Sequence, residues 1–177
     1  MTKITVPTRE QVSPANQEIF DGLKEKLGMV PNIYATYAHS KNALGRYLTF
    51  ANGKSSLSNK EKEVVNLVTS QVNGCTYCQA AHTAIGKMNG FSDEQIISIR
   101  KVQVSFDPKL DALAKLVKEI AEKKGKVSDL NLQNFFDAGY TQENLVDVIV
   151  NVGEKATTNY LHNLTQVPID FPKAPAL

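Results

Sequence analysis

Only two cysteines occur in the 177 residues, Cys75 and Cys78, with two residues between them, in the stretch EVVNLVTSQVNGCTYCQAAHTAIGK. A pair at this spacing can cycle between dithiol and disulfide. In a reducing compartment it is more often redox-active or metal-binding than a permanent staple. Eleven residues separate Glu63 from Cys75, and three separate Cys78 from His82. Asn73-Gly74 reads as a helix stop, so a new helix begins around Cys75. At about 100° per residue, Cys78 and His82 lie about 60° and about 20° from Cys75 around that helix, which places all three on one stripe. Cys75 falls in the first turn, where unpaired N–H groups favour a thiolate. His82 lies one turn beyond Cys78. Its imidazole titrates near neutrality, so it can take the Cys78 proton and return it to a leaving oxygen. Glu63 sits on the preceding helix beside Val64, Val65 and Leu67. A carboxylate on that face needs a partner, and an antiparallel hairpin would bring it to His82.

The elements that must position these groups are all helical. Ser13-Pro14 caps a helix that Gly28 ends. Met29-Val30-Pro31 connects to a helix over Asn32 to Ala51, broken near His39-Ser40. Ser58 and Glu61 form a capping box for a helix that closes at Asn73-Gly74, and the cysteine helix follows from Cys75 to Met88. Ser92 with Gln95 starts the next. Asp107-Pro108 opens a strongly periodic helix through Leu110, Leu113, Leu116, Val117 and Ile120 that ends near Lys123-Lys124-Gly125. Ser128 starts a helix to Ala138, and Thr141 starts the last, to about His162. The strand candidate Val102 to Phe106 is too short to build a sheet. The fold class is all-α, with about eight helices packed as helical hairpins. One echo runs through the pattern: Gly90-Phe91-Ser92 and Gly139-Tyr140-Thr141 repeat glycine, aromatic and hydroxyl cap with a period of 49 residues. Only the first copy carries cysteines, so any chemistry is one site per chain.

Composition bounds the rest. Hydrophobic residues make up 42% and charged residues 21%, and 20 Lys and Arg against 18 Asp and Glu leave a net charge of +2. That balance lacks the basic footprint of a nucleic-acid binder. No apolar run reaches the length needed to cross a bilayer. The opening MTKITVPTREQVSP has no apolar signal stretch, so a cytoplasmic protein is the expectation. The length suits a single domain over 1–177, with an N-terminal extension to about 39 and an extended, proline-containing tail from about 165.

Glu, eleven residues, Cys, two, Cys, three, His resembles the signature of the alkylhydroperoxidase D-like branch of the carboxymuconolactone decarboxylase family. The flanking segments VPNIYATYAHSKNALGRYL and NYLHNLTQVPIDFP are similar to that family as well. The resemblance implies an all-α fold of helical hairpins and a homo-oligomer, often a trimer or hexamer. It implies an oxidoreductase: Cys78 matches the peroxidatic cysteine, which attacks a hydroperoxide and becomes a sulfenic acid. Cys75 matches the resolving cysteine, and His82 and Glu63 match members of the proton relay. A dithiol reductant, a lipoyl protein in the best-known branch, would reopen the disulfide. One position departs. The best-known branch has a histidine immediately before the second cysteine, and here it is Tyr77, a poor acid–base group at neutral pH that reads as a packing residue. Lactone decarboxylases of the family generally lack the cysteine pair, which argues against decarboxylation.

Two other readings use the same residues. Cys75, Cys78 and His82 could hold a metal if Glu63, His39 or His162 completed the set. The pair could equally serve a redox sensor, because sensor and enzyme need the same thiols. His162 could line the site or end a helix as a surface residue, and Tyr34, Tyr37 and His39 read as core or interface before substrate entrance. No glycine-rich phosphate loop, dinucleotide fingerprint or nucleophile elbow is present, so no cofactor is implied.

Overall fold

The computed structural model describes residues 4–177. Among them are a 3-10 turn at Arg9–Gln11 and nine helices: α1 Pro14–Leu27, α2 Asn32–Tyr37, α3 Ala43–Ala51, α4 Asn59–Val72, α5 Thr76–Met88, α6 Asp93–Arg100, α7 Pro108–Lys123, α8 Asp129–Asp137 and α9 Gln142–Thr165. No strand occurs among the described residues, and none of their helices is long and apolar enough to cross a membrane. Nine helices replace the expected eight because the segment 32–51 is two helices, separated by turns through Ala38 to Asn42. The Val102 to Phe106 segment is a chain of turns that begins with Val102 in the left-handed region at φ 56°.

Helix α4 is the axis of the fold. Every residue from Glu63 to Ser70 is buried, so neighbours surround this helix on all sides. Val64, Val65, Leu67 and Val68 join Leu113, Leu116 and Val117 of α7 and Val148 of α9 in the main core. A smaller core forms around the cysteines, from Ile33, Cys75, Tyr77, Cys78, Ala81 and Val167.

Helix starts follow the hydroxyl caps. Ser58, Ser92 and Thr141 each make a reciprocal capping box, with Glu61, Gln95 and Asn144. The 49-residue echo is structural too. Gly90 and Gly139 are both left-handed, at φ 88° and 90°. Phe91 N–H and Tyr140 N–H reach back to the carbonyls of Gly86 and Phe135, the same helix-ending bond in both copies. Phe91 and Tyr140 are both buried, and the Tyr140 ring stacks on Phe135 at 4.3 Å.

Helix α9 runs one turn beyond its expected end. Asn163 Nδ2 donates to the carbonyl of Asn73 at 2.7 Å, and Asn73 Nδ2 donates to Asn159 Oδ1 at 2.9 Å. These bonds fasten the end of α9 to the α4–α5 turn. The tail that follows is extended and pinned. Asp170 accepts from Asn32 N–H at 2.7 Å and from the Tyr77 hydroxyl at 2.6 Å, and Arg100 donates to the Pro175 carbonyl at 2.6 Å.

The α7–α8 connection carries a stability prediction. Glu119 accepts from Ser128 N–H and Ser128 Oγ, both at 2.9 Å, and pairs with Lys123 at 2.6 Å. The Lys123 ammonium and these donors pull the Glu119 carboxyl down to about 2. A depressed folded value means that its contribution is complete above the ordinary 4.5 and is lost as pH falls towards about 2. Glu119→Gln should therefore lower Tm at neutral pH, with the gap to wild type closing over that acid window. Parallel Tm curves from pH 7 down to pH 2 would show that Glu119 does not hold this turn.

Candidate active site

The site is built at one tight turn. Gly74 takes φ 65° at the end of α4, a conformation that a side chain disfavours. Cys75 N–H then donates to the Ser70 carbonyl at 3.0 Å, which closes the helix end. Cys75 is thus the N-cap of α5, and its Sγ accepts from Cys78 N–H at 3.2 Å. The two sulfurs form a disulfide, with the Cα atoms 5.3 Å apart. Closing so short a loop removes little entropy from the unfolded chain, so the bond contributes less stability than a long-range staple.

The two cysteines differ in access. Cys75 is 0% exposed and lies within the protein, whereas Cys78, at 2%, is on the wall of a cavity of ≈ 420 Å³. That cavity is mainly apolar, with Ile33, Tyr34, Tyr77 and Phe171 among its walls, and His82 faces into it.

His82 Nδ1 lies 2.8 Å from Glu63 Oε2, across the α4–α5 hairpin. Burial pushes the Glu63 carboxyl up, but the attraction and hydrogen bond of His82, a hydrogen bond from Asn66 and the charge of Lys155 outweigh it and hold Glu63 below its ordinary value. An ionised carboxylate only accepts, so the Nδ1 proton sits between them and Nε2 is left as the basic nitrogen. Nε2 makes no hydrogen bond among the described residues.

Behind Glu63 runs a buried polar chain that the sequence reading missed. Asn66 Nδ2 donates to Glu63 Oε1 at 2.8 Å, and Asn151 Nδ2 donates to Asn66 Oδ1 at 2.9 Å and to Glu154 Oε2 at 3.2 Å. Glu154 also accepts from the Tyr47 hydroxyl and pairs with Lys155 at 3.5 Å. The Glu154 carboxylate is thus held by two hydrogen-bond donors, with the ammonium as a further neighbour. A signal was present in α9: Lys155, Asn159 and His162 continue the buried Val148–Val152 stripe at helical spacing. A second cavity, polar and of ≈ 340 Å³, opens on this side along Lys62, Glu63, Asn66 and Glu154.

Other candidates go elsewhere. Tyr77 is buried and packs edge-on against Phe171; its hydroxyl donates to Asp170 and accepts from Ile33 N–H, so it ties the cysteine turn to α2 and the tail. His162 is buried beside the Tyr77 ring, and its Nε2 lies 3.2 Å from the Val167 carbonyl. Tyr37 stacks on Tyr47, while His39 is exposed at 2.7 Å from the Thr5 carbonyl. Among the described residues no group of three or more His, Cys, Asp and Glu side chains could hold a metal ion, so the metal reading of Cys75, Cys78 and His82 has no supporting geometry.

The model of the carboxymuconolactone decarboxylase family matches residues 37–119, a span that includes Glu63, Cys75, Cys78 and His82. A search of curated protein sequences finds no match. Among solved structures, an uncharacterized peroxidase-related protein from Silicibacter sp. TM1040 is similar at TM-score 0.80 and 21% identity, over 93% of this chain and 91% of that one. An alkylhydroperoxidase AhpD core protein from Ralstonia eutropha JMP134, also described as peroxidase-related, is similar at TM-score 0.81 and 19% identity, over 93% and 91%. The debrominase Bmp8 is similar at TM-score 0.80 and 14% identity, over 96% and 93%. At these identities the likeness is one of fold. The family model thus matches across the cysteine hairpin, and along nearly its whole length the chain shares the all-α fold of these peroxidase-related structures.

Proposed function

We propose that this protein is a thiol-dependent peroxidase that reduces organic hydroperoxides through Cys75 and Cys78. The observation that carries the reading is the placement of Cys78. It is the cysteine on the apolar cavity, it shares that cavity with His82, and the far side of the imidazole is held by Glu63. His82 Nε2 takes the Cys78 proton, and the thiolate attacks the terminal peroxide oxygen. The S–O bond forms as the O–O bond breaks, leaving a sulfenic acid and an alcohol. Cys75 then attacks the Cys78 sulfur, the S–O bond breaks, and the disulfide and water result. His82 supplies its proton to a leaving oxygen.

The reductant must reach a buried disulfide. Cys75 is enclosed, so the attacking thiolate has to come through the cavity to Cys78. A dithiol carried on a slender arm, as in a lipoyl protein, suits that path. A homo-oligomer, trimer or hexamer, is part of this reading. An exposed stripe on α9 through Val146, Val150, Tyr160 and Leu164 supports it, because isolated chains seldom leave such a row to water.

The test is a thiol count. Reduced protein treated with one equivalent of cumene hydroperoxide should lose both thiols into an intramolecular disulfide, with no metal bound. Repeated turnover with a dithiol then distinguishes an enzyme from a redox sensor. Thiols that survive the peroxide would sink the proposal.

A further inference from the structure

Lys155 is a buried cation with no role in the scheme above. It is 5% exposed, and its ammonium lies 3.5 Å from Glu154 Oε1. It makes no hydrogen bond among the described residues, although an ammonium carries three donors. Glu154 does not depend on it, because the Tyr47 hydroxyl and Asn151 Nδ2 already donate to that carboxylate. Lys155 can therefore give up a proton without leaving Glu154 unsatisfied.

Its location gives that proton a destination. Lys155, His82, Tyr34 and Ile85 form the partition between the two cavities, lining both. On one side is the apolar space with Cys78; on the other is the polar space with Glu63 and Lys62. A proton lost to the first side can be replaced from water on the second.

Hydroperoxide reduction calls for two donors. The first leaving oxygen is the alkoxide, released when the Cys78 thiolate attacks and the O–O bond breaks. The second is hydroxide, released when Cys75 attacks the sulfenic acid and the S–O bond breaks. Each needs a proton, and His82 holds one at a time. We propose that Lys155 protonates the leaving alkoxide, so that the proton His82 took from Cys78 is kept for the hydroxide. Lys155 is recharged through the polar cavity, in balance with the proton that the Cys75 thiol releases. Two thiols are oxidised, one O–O bond is reduced, and an alcohol and water leave. An alkoxide is far more basic than an amine, so the transfer is downhill. Tyr34 is another proton-bearing group on the partition, but burial and the charges of Glu154 and Glu63 push it up to about 12, and a phenolate there would face two carboxylates.

This inference rests on the peroxidase reading, and its test separates the two. Reduced protein is mixed in single turnover with cumene hydroperoxide or with peracetic acid, and thiol loss is followed. The peracid releases a carboxylate, which needs no proton. Lys155→Met should slow the cumene hydroperoxide reaction by about 100-fold, the lower end for loss of a general acid, while the peracid rate changes far less. The double variant Lys155→Met/Glu154→Gln leaves no unpaired carboxylate and should show the same selectivity, and Lys155→Arg, which keeps the charge but does not give up a proton, should not restore the rate. The ratio of the two oxidant rates on one sample cancels any unfolded fraction. Equal losses for both oxidants, or no loss with the alkyl hydroperoxide, would overturn the role of Lys155. Wild-type thiols inert to both oxidants would instead remove the peroxidase reading itself.

Discussion

Cys78→Ser should reduce peroxide turnover to the uncatalysed background, while Cys75→Ser should consume one equivalent of peroxide and stop. The asymmetry follows from access and from local geometry. Cys78 lines the cavity that an organic peroxide can enter; Cys75 is sealed behind it at the head of α5. A serine hydroxyl at 78 is not ionised at neutral pH and has little affinity for peroxide oxygen, so the first bond is never made. With serine at 75 the first bond forms, but nothing resolves it, and the sulfenic acid persists or pairs with a second chain. The comparison is fair because the second variant preserves the fold. Cys75 Sγ serves as the N-cap of α5, and serine is among the best residues for that position. Intact-protein mass after one equivalent of cumene hydroperoxide reads the result: one added oxygen on Cys75→Ser, none on Cys78→Ser. A sulfenic acid on Cys75 in the Cys78→Ser protein, or equal residual turnover in both, would exchange or dissolve the two roles.

How far the sequence alone could lead depends on the kind of signal each residue sends. The helix starts were legible because a hydroxyl cap is a local device: Ser58, Ser92 and Thr141 each satisfy N–H groups within three residues of themselves. The Glu63–His82 approach was legible because one hairpin joins them and both face its interior. The break at Ala38 to Asn42 was readable only as a weak point, since no proline or glycine falls there. The polar chain through Asn66, Asn151, Glu154 and Tyr47 was not legible. Its members come from α3, α4 and α9, and packing of distant segments is what brings them together. The clue was a conflict of levels: a lysine, an asparagine and a histidine continue the stripe that Val148 and Val152 bury. Tyr77 is the converse case. Its position between the cysteines suggests chemistry, yet burial and its bond to Asp170 push the phenol above its ordinary value, which fits a structural tie.

The second large effect is expected at His82. Replacing it by glutamine should slow thiol oxidation by about 10²–10⁴-fold at neutral pH, the range for loss of a positioned acid–base group. Glutamine cannot accept the Cys78 proton, so the variant depends on whatever thiolate the medium provides, roughly 3% at pH 7 for an ordinary cysteine. Its rate should therefore climb about tenfold per pH unit until the thiol itself ionises, and wild type should approach a plateau at lower pH. Glu63→Gln tests the arm behind the imidazole. The amide oxygen can still accept from Nδ1–H, so orientation survives, but the charge that favours the imidazolium is gone; a loss smaller than that of His82→Gln is expected. The sign of the stability effect is fixed as well. Glu63 titrates below its ordinary value in the folded protein, so its ionised form stabilises the fold above pH 4.5, and this is lost as pH falls through the lower folded value. Wild type and Glu63→Gln should thus differ most in Tm at neutral pH and converge in acid. If His82→Gln keeps the wild-type pH–rate curve, the proton leaves Cys78 by another path, and the Glu63–His82 pair is a structural bond between α4 and α5.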